Sequence, residues 1–349
     1  MAVIKDLTFE IIKGCSNECL FCSSIANCNR NQMISLKDFR RTVSYLMDKY
    51  GIEEISFSGG EPFLHPDLYN MIFYCKTLGI RTVIFTSGVR RNIKLNELDV
   101  SFLEKQIDDH DKGYEDILET VYHKLVKRDK DINEQEFNSI YREEMRCLKW
   151  AGLDKIVFDL RDVSLEKYDS LMEYEHLSLI LTSLMRAHVA GLETDVYFVP
   201  MKNNYKDFAE FIEYLNICQV DNLSILNLVA QDCGRINYDS LMLNDKEWQE
   251  FREIYEQTKC LFNGQIRSDI PLLADDIHKC AVDSGKMVIR YDGIVLPCPV
   301  FKKCDINLLN KYGIQFYNIY EDLEKIKLYD GVRKSPLCKK LYKFSNEMK

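Results

Sequence analysis

Between residues 7 and 229 the chain alternates β-patterned runs with helix-patterned runs, and this alternation limits the architecture more than any other feature. Leu7–Ile12, Glu54–Ser58, Arg81–Thr86, Lys155–Leu160, Glu193–Val199 and Asn222–Val229 read as six strands. Leu36–Tyr50, Pro66–Leu78, Leu177–Ala190 and Tyr205–Cys218 carry helical apolar spacing between them. The boundary signals agree. Ser35 with Asp38 three residues on opens the first helix, and Gly51, Gly79 and Gly191 stand where helices end. A helix between successive strands implies parallel pairing through right-handed crossovers, so the expected class is α/β. Asn244 with Glu247 forms a further helix start, for a helix running to about Thr258.

Two segments break the rhythm. Residues 91–146 hold 15 acidic and 10 basic residues with mostly helical apolar spacing, and read as a helical insertion. Its plain role is a solvated hairpin; its functional role would be a lid or docking surface. Beyond residue 279 the texture turns to β-hairpin: Lys286–Arg290, the turn Asp292-Gly293, then Ile294–Pro297.

Composition narrows the class of function. With 349 residues and 46% hydrophobic content, the chain can bury a core and is not disordered. The net charge of −9 argues against a nucleic-acid partner. No signal peptide is visible, and the longest apolar stretch, Leu177–Met185, is too short to span a bilayer. A cytoplasmic location without a membrane partner is therefore expected. There, thirteen cysteines point to metal, redox or catalytic use rather than disulfides.

Three of them, Cys15, Cys19 and Cys22, follow the first strand with C-x3-C-x2-C spacing. Three thiolates on one short loop can hold three irons of a [4Fe–4S] cluster, which leaves the fourth iron open to a substrate or cofactor. Spacing alone also admits zinc, with Cys28 as a fourth ligand. Directly after the second strand stands Ser58-Gly59-Gly60-Glu61-Pro62. Paired glycines at that position expose backbone groups to a ligand.

Together these two motifs resemble the radical S-adenosylmethionine (radical SAM) superfamily. The resemblance implies a partial (β/α)6 barrel over residues 1–235, followed by a helical connector over 236–270. It implies that Cys15, Cys19 and Cys22 bind a [4Fe–4S] cluster whose open iron chelates SAM. Gly59, Gly60, Glu61 and Pro62 would line the methionine end of the cofactor. Phe21 would lie near adenine, Thr86 and Ser87 match a ribose-side position, and Asp159 matches an acidic residue of the fourth strand. The implied chemistry is reductive cleavage of SAM to a 5′-deoxyadenosyl radical, which takes a hydrogen atom from the substrate, with an electron donor such as flavodoxin or ferredoxin.

Residues 271–349 resemble the SPASM/twitch extension of that family. Cys280 and Cys298 bracket the hairpin, and Cys304 and Cys338 follow. The four would close an auxiliary [4Fe–4S] site. Cys338 lacks a C-x2-C partner, so one auxiliary cluster is expected rather than two. Of the remaining cysteines, Cys75, Cys147, Cys218 and Cys260 lie in helical patterns and read as buried hydrophobes. Cys233, just past the sixth strand, stands where a thiol could return a hydrogen atom to a substrate radical. The basic tail, Gly331–Lys349, reads as a solvated face or a dock for an acidic reductase.

The resemblance implies peptide or protein modification, by epimerisation or crosslinking, ahead of a small-molecule dehydrogenation or rearrangement. With a strand beginning within ten residues of Met1, no fused leader-binding domain is expected, which weighs against some peptide maturases. The rival from another class is a non-enzymatic iron–sulfur redox or sensor protein.

Overall fold

The computed structural model describes residues 3–15, 17, 19–24, 32–91, 137–172, 176–229, 231–268, 285–302, 306–311 and 314–329. Twelve strands occur among them: β1 (Asp6–Ile12), β2 (Glu54–Gly59), β3 (Arg81–Thr86), β4 (Val89–Arg91), β5 (Phe137–Ser139), β6 (Lys155–Asp159), β7 (Glu193–Phe198), β8 (Asn222–Ile225), β9 (Gln265–Ser268), β10 (Lys286–Ile289), β11 (Ile294–Leu296) and β12 (Tyr317–Asn318). The helices are α1 (Leu36–Tyr50), α2 (Leu68–Thr77), α3 (Arg142–Ala151), α4 (Leu165–Met172), α5 (Leu177–Val189), α6 (Phe208–Ile217), α7 (Asp232–Ile236), α8 (Tyr238–Leu241), α9 (Asp245–Thr258) and α10 (Ile306–Lys311).

Ten strands form one unclosed sheet in the order β12-β11-β10-β1-β2-β3-β6-β7-β8-β9. Every pair from β10 through β1 to β9 is parallel, and β11 and β12 add antiparallel. This is the α/β class that the strand–helix alternation implied, in the partial, TIM-like form that the family resemblance implied. The helix boundaries follow their signals. Ser35 accepts a hydrogen bond from Asp38 N at 3.1 Å, and Gly51 N donates to Met47 O at 2.8 Å. The reciprocal Asn244/Glu247 box opens α9.

The two faces of each strand do different work. Leu7, Phe9 and Ile11 on β1, Ile55 and Phe57 on β2, and Phe198 on β7 point to the helices. There Phe39 of α1 packs between Phe9 and Phe57, and Phe198 packs on Phe208 and Phe211 of α6. The alternate positions are polar. Six strands open on a charged residue, and these residues pair along the strand starts: Lys286 with Asp6, Arg81 with Glu54 and Glu193, and Lys155 with Glu193 and Asp195. Arg267 of β9 closes on the same Asp195. Four of these pairs join adjacent strands and two, Arg81–Glu193 and Arg267–Asp195, reach across one, so the belt fixes register and neutralises the buried Lys155 and Asp195.

Four features lie outside the sequence expectation. β9 is a further parallel strand, and α4 lies between β6 and α5. The strands β4 and β5 pair at the two feet of the insertion, Val89 opposite Ser139. Residues 92–136 of that insertion lie outside the described residues, whereas α3 begins within the stretch read as insertion. The hairpin β10–β11 forms over Asp292-Gly293, and β10 runs parallel to β1, so the C-terminal segment extends the main sheet. Its outer strand, β12, leads to residues that dock on α1: Arg41 donates to Ile319 O, and Lys49 and Tyr50 donate to Ile326 O.

His176, at the start of α5, is buried, and burial pushes its pKa down to about 4. The folded protein binds a proton there less readily than the unfolded chain. The resulting stability is complete above pH 6.5, the ordinary histidine value, and is lost as pH falls toward 4. The urea midpoint should therefore fall over that window, and His176→Gln should flatten the fall. Identical pH slopes for both proteins would contradict the assignment.

Candidate active site

The loop after β1 carries the first three cysteines. It is fixed by backbone bonds at intervals: Lys13 N to Gln32 O at 2.9 Å, Leu20 N to Leu171 O at 3.0 Å, and Cys22 N to Cys19 O at 3.1 Å. Asn17 N donates to Cys15 Sγ at 3.4 Å. The Cys19 thiol is held well above its ordinary pKa, first by burial, then by the negative fields of Asp159, Cys22 and Cys15, with Arg161 opposing. The three sulfur-bearing side chains therefore feel one another and the end of β6. Cys28, the alternative zinc ligand, lies outside the described residues.

The glycine motif stands on the next strand. An ideal Cβ on Gly59 would lie 2.2 Å from Ile12 O, and one on Gly60 would lie 2.0 Å from Gly14 O. Gly59 also has φ +129°, a conformation that L side chains rarely adopt. Gly60 N donates to Ile12 O at 2.7 Å and Glu61 N to Gly14 O at 2.9 Å. The space freed by the missing side chains is thus filled by the backbone just before Cys15. The pair brings the β2 turn against the cysteine loop, a structural role in addition to the ligand approach expected from sequence.

Glu61 and Pro62 continue the turn. Pro62 begins a single 3₁₀ turn, Pro62–Leu64. The buried Glu61 carboxylate accepts from Thr86 Oγ1 at 2.8 Å, Ser87 N at 2.9 Å, Ser87 Oγ at 2.8 Å and Phe63 N at 3.3 Å. Burial raises its pKa, and the hydrogen bonds from Ser87, Thr86 and Phe63 draw it back. Thr86 and Ser87, expected on the ribose side, are therefore joined directly to Glu61. In this way β2 and β3 are cross-linked at the ends nearest the cysteines.

Asp159 ends β6. Its side chain is 35% exposed, but one oxygen is enclosed and paired with Arg161. Burial raises its pKa and the Arg161 charge lowers it. The Arg161 guanidinium also lies 4.6 Å from the centre of the buried Phe21 ring and donates to Tyr197 O at 3.2 Å. Sequence reasoning picked Phe21 and Asp159 and missed the residue that joins them. The sequence marks only its place, two positions after Asp159 and just past the end of β6; its contact with Phe21 arises across the fold.

The helix α7 closes the other side of the cysteine loop. Gly234 N donates to Cys22 O at 3.2 Å, and Asn237 Nδ2 donates to Leu20 O at 3.0 Å. A Cβ on Gly234 would meet Val229 O at 2.6 Å and Phe21 O at 3.0 Å. Cys233 is carried on this helix, half-buried, one residue from the contact with Cys22.

Of the four C-terminal cysteines only Cys298 is described; it is half-buried and precedes the turn Pro299–Phe301. Cys280, Cys304 and Cys338 lie outside the described residues, as does the basic tail. Cys75, Cys147 and Cys218 are buried, with the thiols of Cys147 and Cys218 pushed up by burial to about 11 and about 12. Cys260 is exposed, a correction to its reading as a buried hydrophobe. It falls in the 3₁₀ turn Lys259–Leu261, past the end of α9, where no apolar face is covered.

The donor set fits a [4Fe–4S] cluster with one uncommitted iron: three thiols on one anchored loop, under a turn pressed close by glycine. Among the described residues no group of three His, Cys, Asp or Glu side chains is arranged around a single metal ion. The fit therefore rests on the thiols' shared loop and the glycine turn pressed against it rather than on a preformed cage.

Comparison with known proteins bears on the domain and the fold. Residues 9–110, which include both motifs, match the Radical SAM superfamily. A relative from Saccharolobus solfataricus, "Probable GTP 3',8-cyclase", is 23% identical over 254 residues, covering 72% of this chain and 64% of its own length. The crystal structure of Streptococcus suis SuiB bound to precursor peptide SuiA superposes with a TM-score of 0.65 at 17% identity, over 95% of this chain and 67% of that one. Native anSMEcpe with bound AdoMet and a Cp18Cys peptide gives 0.58 at 13%, over 93% and 79%. Residues 9–110 thus match a radical SAM domain, and the fold is shared with SuiB and anSMEcpe.

The glycine contact makes a direct prediction. Gly60→Ala should displace the Gly14 carbonyl and with it the cysteine loop, so iron bound per chain after anaerobic reconstitution should fall several-fold. Gly51→Ala is the control: φ is +75° and ψ +148° there, a glycine conformation, but nothing lies within 4 Å of the added carbon, so it should cost about 1–3 kcal/mol of stability and retain iron. Equal iron loss in the two variants would contradict the account.

Proposed function

We propose that this protein is a radical SAM enzyme that modifies a peptide or protein substrate, by epimerisation or crosslinking. The observation that carries the enzyme reading is the docking of the Gly59-Gly60-Glu61 turn onto the loop of Cys15, Cys19 and Cys22. A [4Fe–4S] cluster and SAM bound here would supply, on one-electron reduction by an external donor, cleavage of the C5′–S bond to methionine and a 5′-deoxyadenosyl radical for hydrogen-atom abstraction. The chain's own residues hold and orient: the three thiolates ligate the cluster, and the turn of Gly59, Gly60, Glu61 and Pro62 faces the methionine end. Phe21, stiffened by Arg161, flanks adenine, while Thr86, Ser87 and Asp159 bound the ribose side. A rigid frame matters because radical chemistry depends on positioning and exclusion of water.

Peptide chemistry is supported by fold neighbours whose structures hold a peptide and which align with 93–95% of this chain. A second reading, a small molecule such as a nucleotide, is supported by the relatives named as probable GTP 3',8-cyclases. Among the described residues no helix is long and apolar enough to cross a membrane. The cytoplasmic location and the lack of a nucleic-acid partner are proposed on other grounds, cysteine content and a net charge of −9. Cys280, Cys298, Cys304 and Cys338 would hold one auxiliary [4Fe–4S] cluster, with a flavodoxin or ferredoxin as electron donor. Two clusters predict about eight irons per chain; a content near four would leave the C-terminal site to zinc or to no metal.

The substrate test is anaerobic turnover with candidate peptides and nucleotides, each deuterated at carbon. Label transferred into 5′-deoxyadenosine from a peptide supports the first reading, and from GTP the second. No 5′-deoxyadenosine with any substrate would favour a non-enzymatic iron–sulfur protein. If the reaction is an epimerisation, Cys233 is the hydrogen-atom donor. Cys233→Ala should then still form 5′-deoxyadenosine while losing the epimerised product, and a normal product yield would remove Cys233 from the mechanism.

A further inference from the structure

The stretch from Pro299 to Lys302 follows Cys298 and makes its contacts with the machinery of the other cysteine site. Lys302 Nζ pairs with Glu10, which is buried on β1 at 3% exposure, and reaches Ser24 Oγ at 3.5 Å. Ser24 belongs to the cysteine loop, and its carbonyl accepts from the Cys22 thiol. The backbone of the stretch is held on both sides of the lysine's reach. Arg290 Nη1 donates to Lys302 O at 2.7 Å, and Gln231 Nε2 donates to Val300 O. Gln231 in turn caps α7, the helix whose Gly234 N–H binds Cys22 O. Two routes therefore lead from the residues after Cys298 to Cys22, one through Lys302 and Ser24, the other through Gln231 and α7.

We infer that Lys302 is a positioning residue that ties the C-terminal segment to the cysteine loop and sets a fixed charge pair, with Glu10, beside the cluster that loop binds. This rests on the proposed cluster at Cys15, Cys19 and Cys22. The physical argument is one of charge. The Lys302 side chain is 12% exposed and Glu10 is 3% exposed, so neither charge is well screened by water. One-electron reduction adds a negative charge to the cluster, and its potential follows the nearby charge and hydrogen bonding. The ammonium favours the reduced form and raises the potential; the carboxylate opposes it. A pair of fixed geometry sets the balance, and any displacement of the C-terminal segment would alter it.

The test is a dithionite titration with redox mediators, followed by electron paramagnetic resonance of the cluster signal that responds to SAM, on the full-length reconstituted protein. Lys302→Met should shift the midpoint to more negative potential, and Glu10→Gln should shift it to more positive potential. The paired Lys302→Met/Glu10→Gln protein should return close to the wild-type value, and Lys302→Arg should keep that value. Opposite signs are the diagnostic outcome, because a purely structural brace would move both single variants in the same direction. If Lys302→Met fails to fold, Glu10→Gln and the paired variant carry the test, since the pair leaves no buried charge uncompensated. Unmoved potentials, or shifts of the same sign, would overturn the inference. Failure of the wild-type protein to bind any cluster would instead overturn the functional reading beneath it.

Discussion

The close backbone contact between the β2 turn and the β1 loop is the constraint on which the site depends. Two carbonyl oxygens, of Ile12 and Gly14, receive N–H groups from Gly60 and Glu61 and occupy the space where two β-carbons would stand. No other residue type allows that approach without moving one of the strand ends. Once it is made, Glu61 falls within reach of Thr86 and Ser87, which carries the bracing to β3. The parallel sheet supplies the rest. It brings the ends of β1, β2, β3 and β6 to one side, where motifs far apart in sequence face one another.

The other flank of the cysteine loop is held by longer-range parts. Arg161 stacks on Phe21 and pairs with Asp159, and α7 presses Gly234 against the Phe21 and Cys22 carbonyls. The loop is thus fixed by backbone contacts from β2 and α7 and by side chains from β6. For a site whose chemistry is carried by a cofactor, such rigidity is the protein's main contribution. The C-terminal segment is part of the same frame, because β10 pairs directly with β1 and Lys302 reaches the loop.

Much of this was legible in the sequence, for identifiable reasons. The α1 start at Ser35 and the α9 start at Asn244 obey local rules, and the structure has both. The cysteine and glycine motifs are likewise short-range patterns. What escaped was set by contacts across the fold. β9 is four residues long and largely exposed, so it carries no alternation to read. Arg161 and Asn237 acquire their roles only when β6 and α7 meet the cysteine loop. The glycines were recognised for ligand approach; the contact they also make, admitting the backbone of the neighbouring strand end, is one no single-strand pattern can reveal. Cys260 looked like a core residue because helical spacing continued into a turn that lies beyond the helix.

The central claim is that the loop of Cys15, Cys19 and Cys22 holds a cluster with an iron open to SAM. The direct measurement is the electron paramagnetic resonance spectrum of the anaerobically reconstituted, reduced protein before and after SAM is added. The account predicts a [4Fe–4S]⁺ signal whose g-values change on addition of SAM, and loss of that response in Cys19→Ala. A cluster signal indifferent to SAM in the wild-type protein would contradict it.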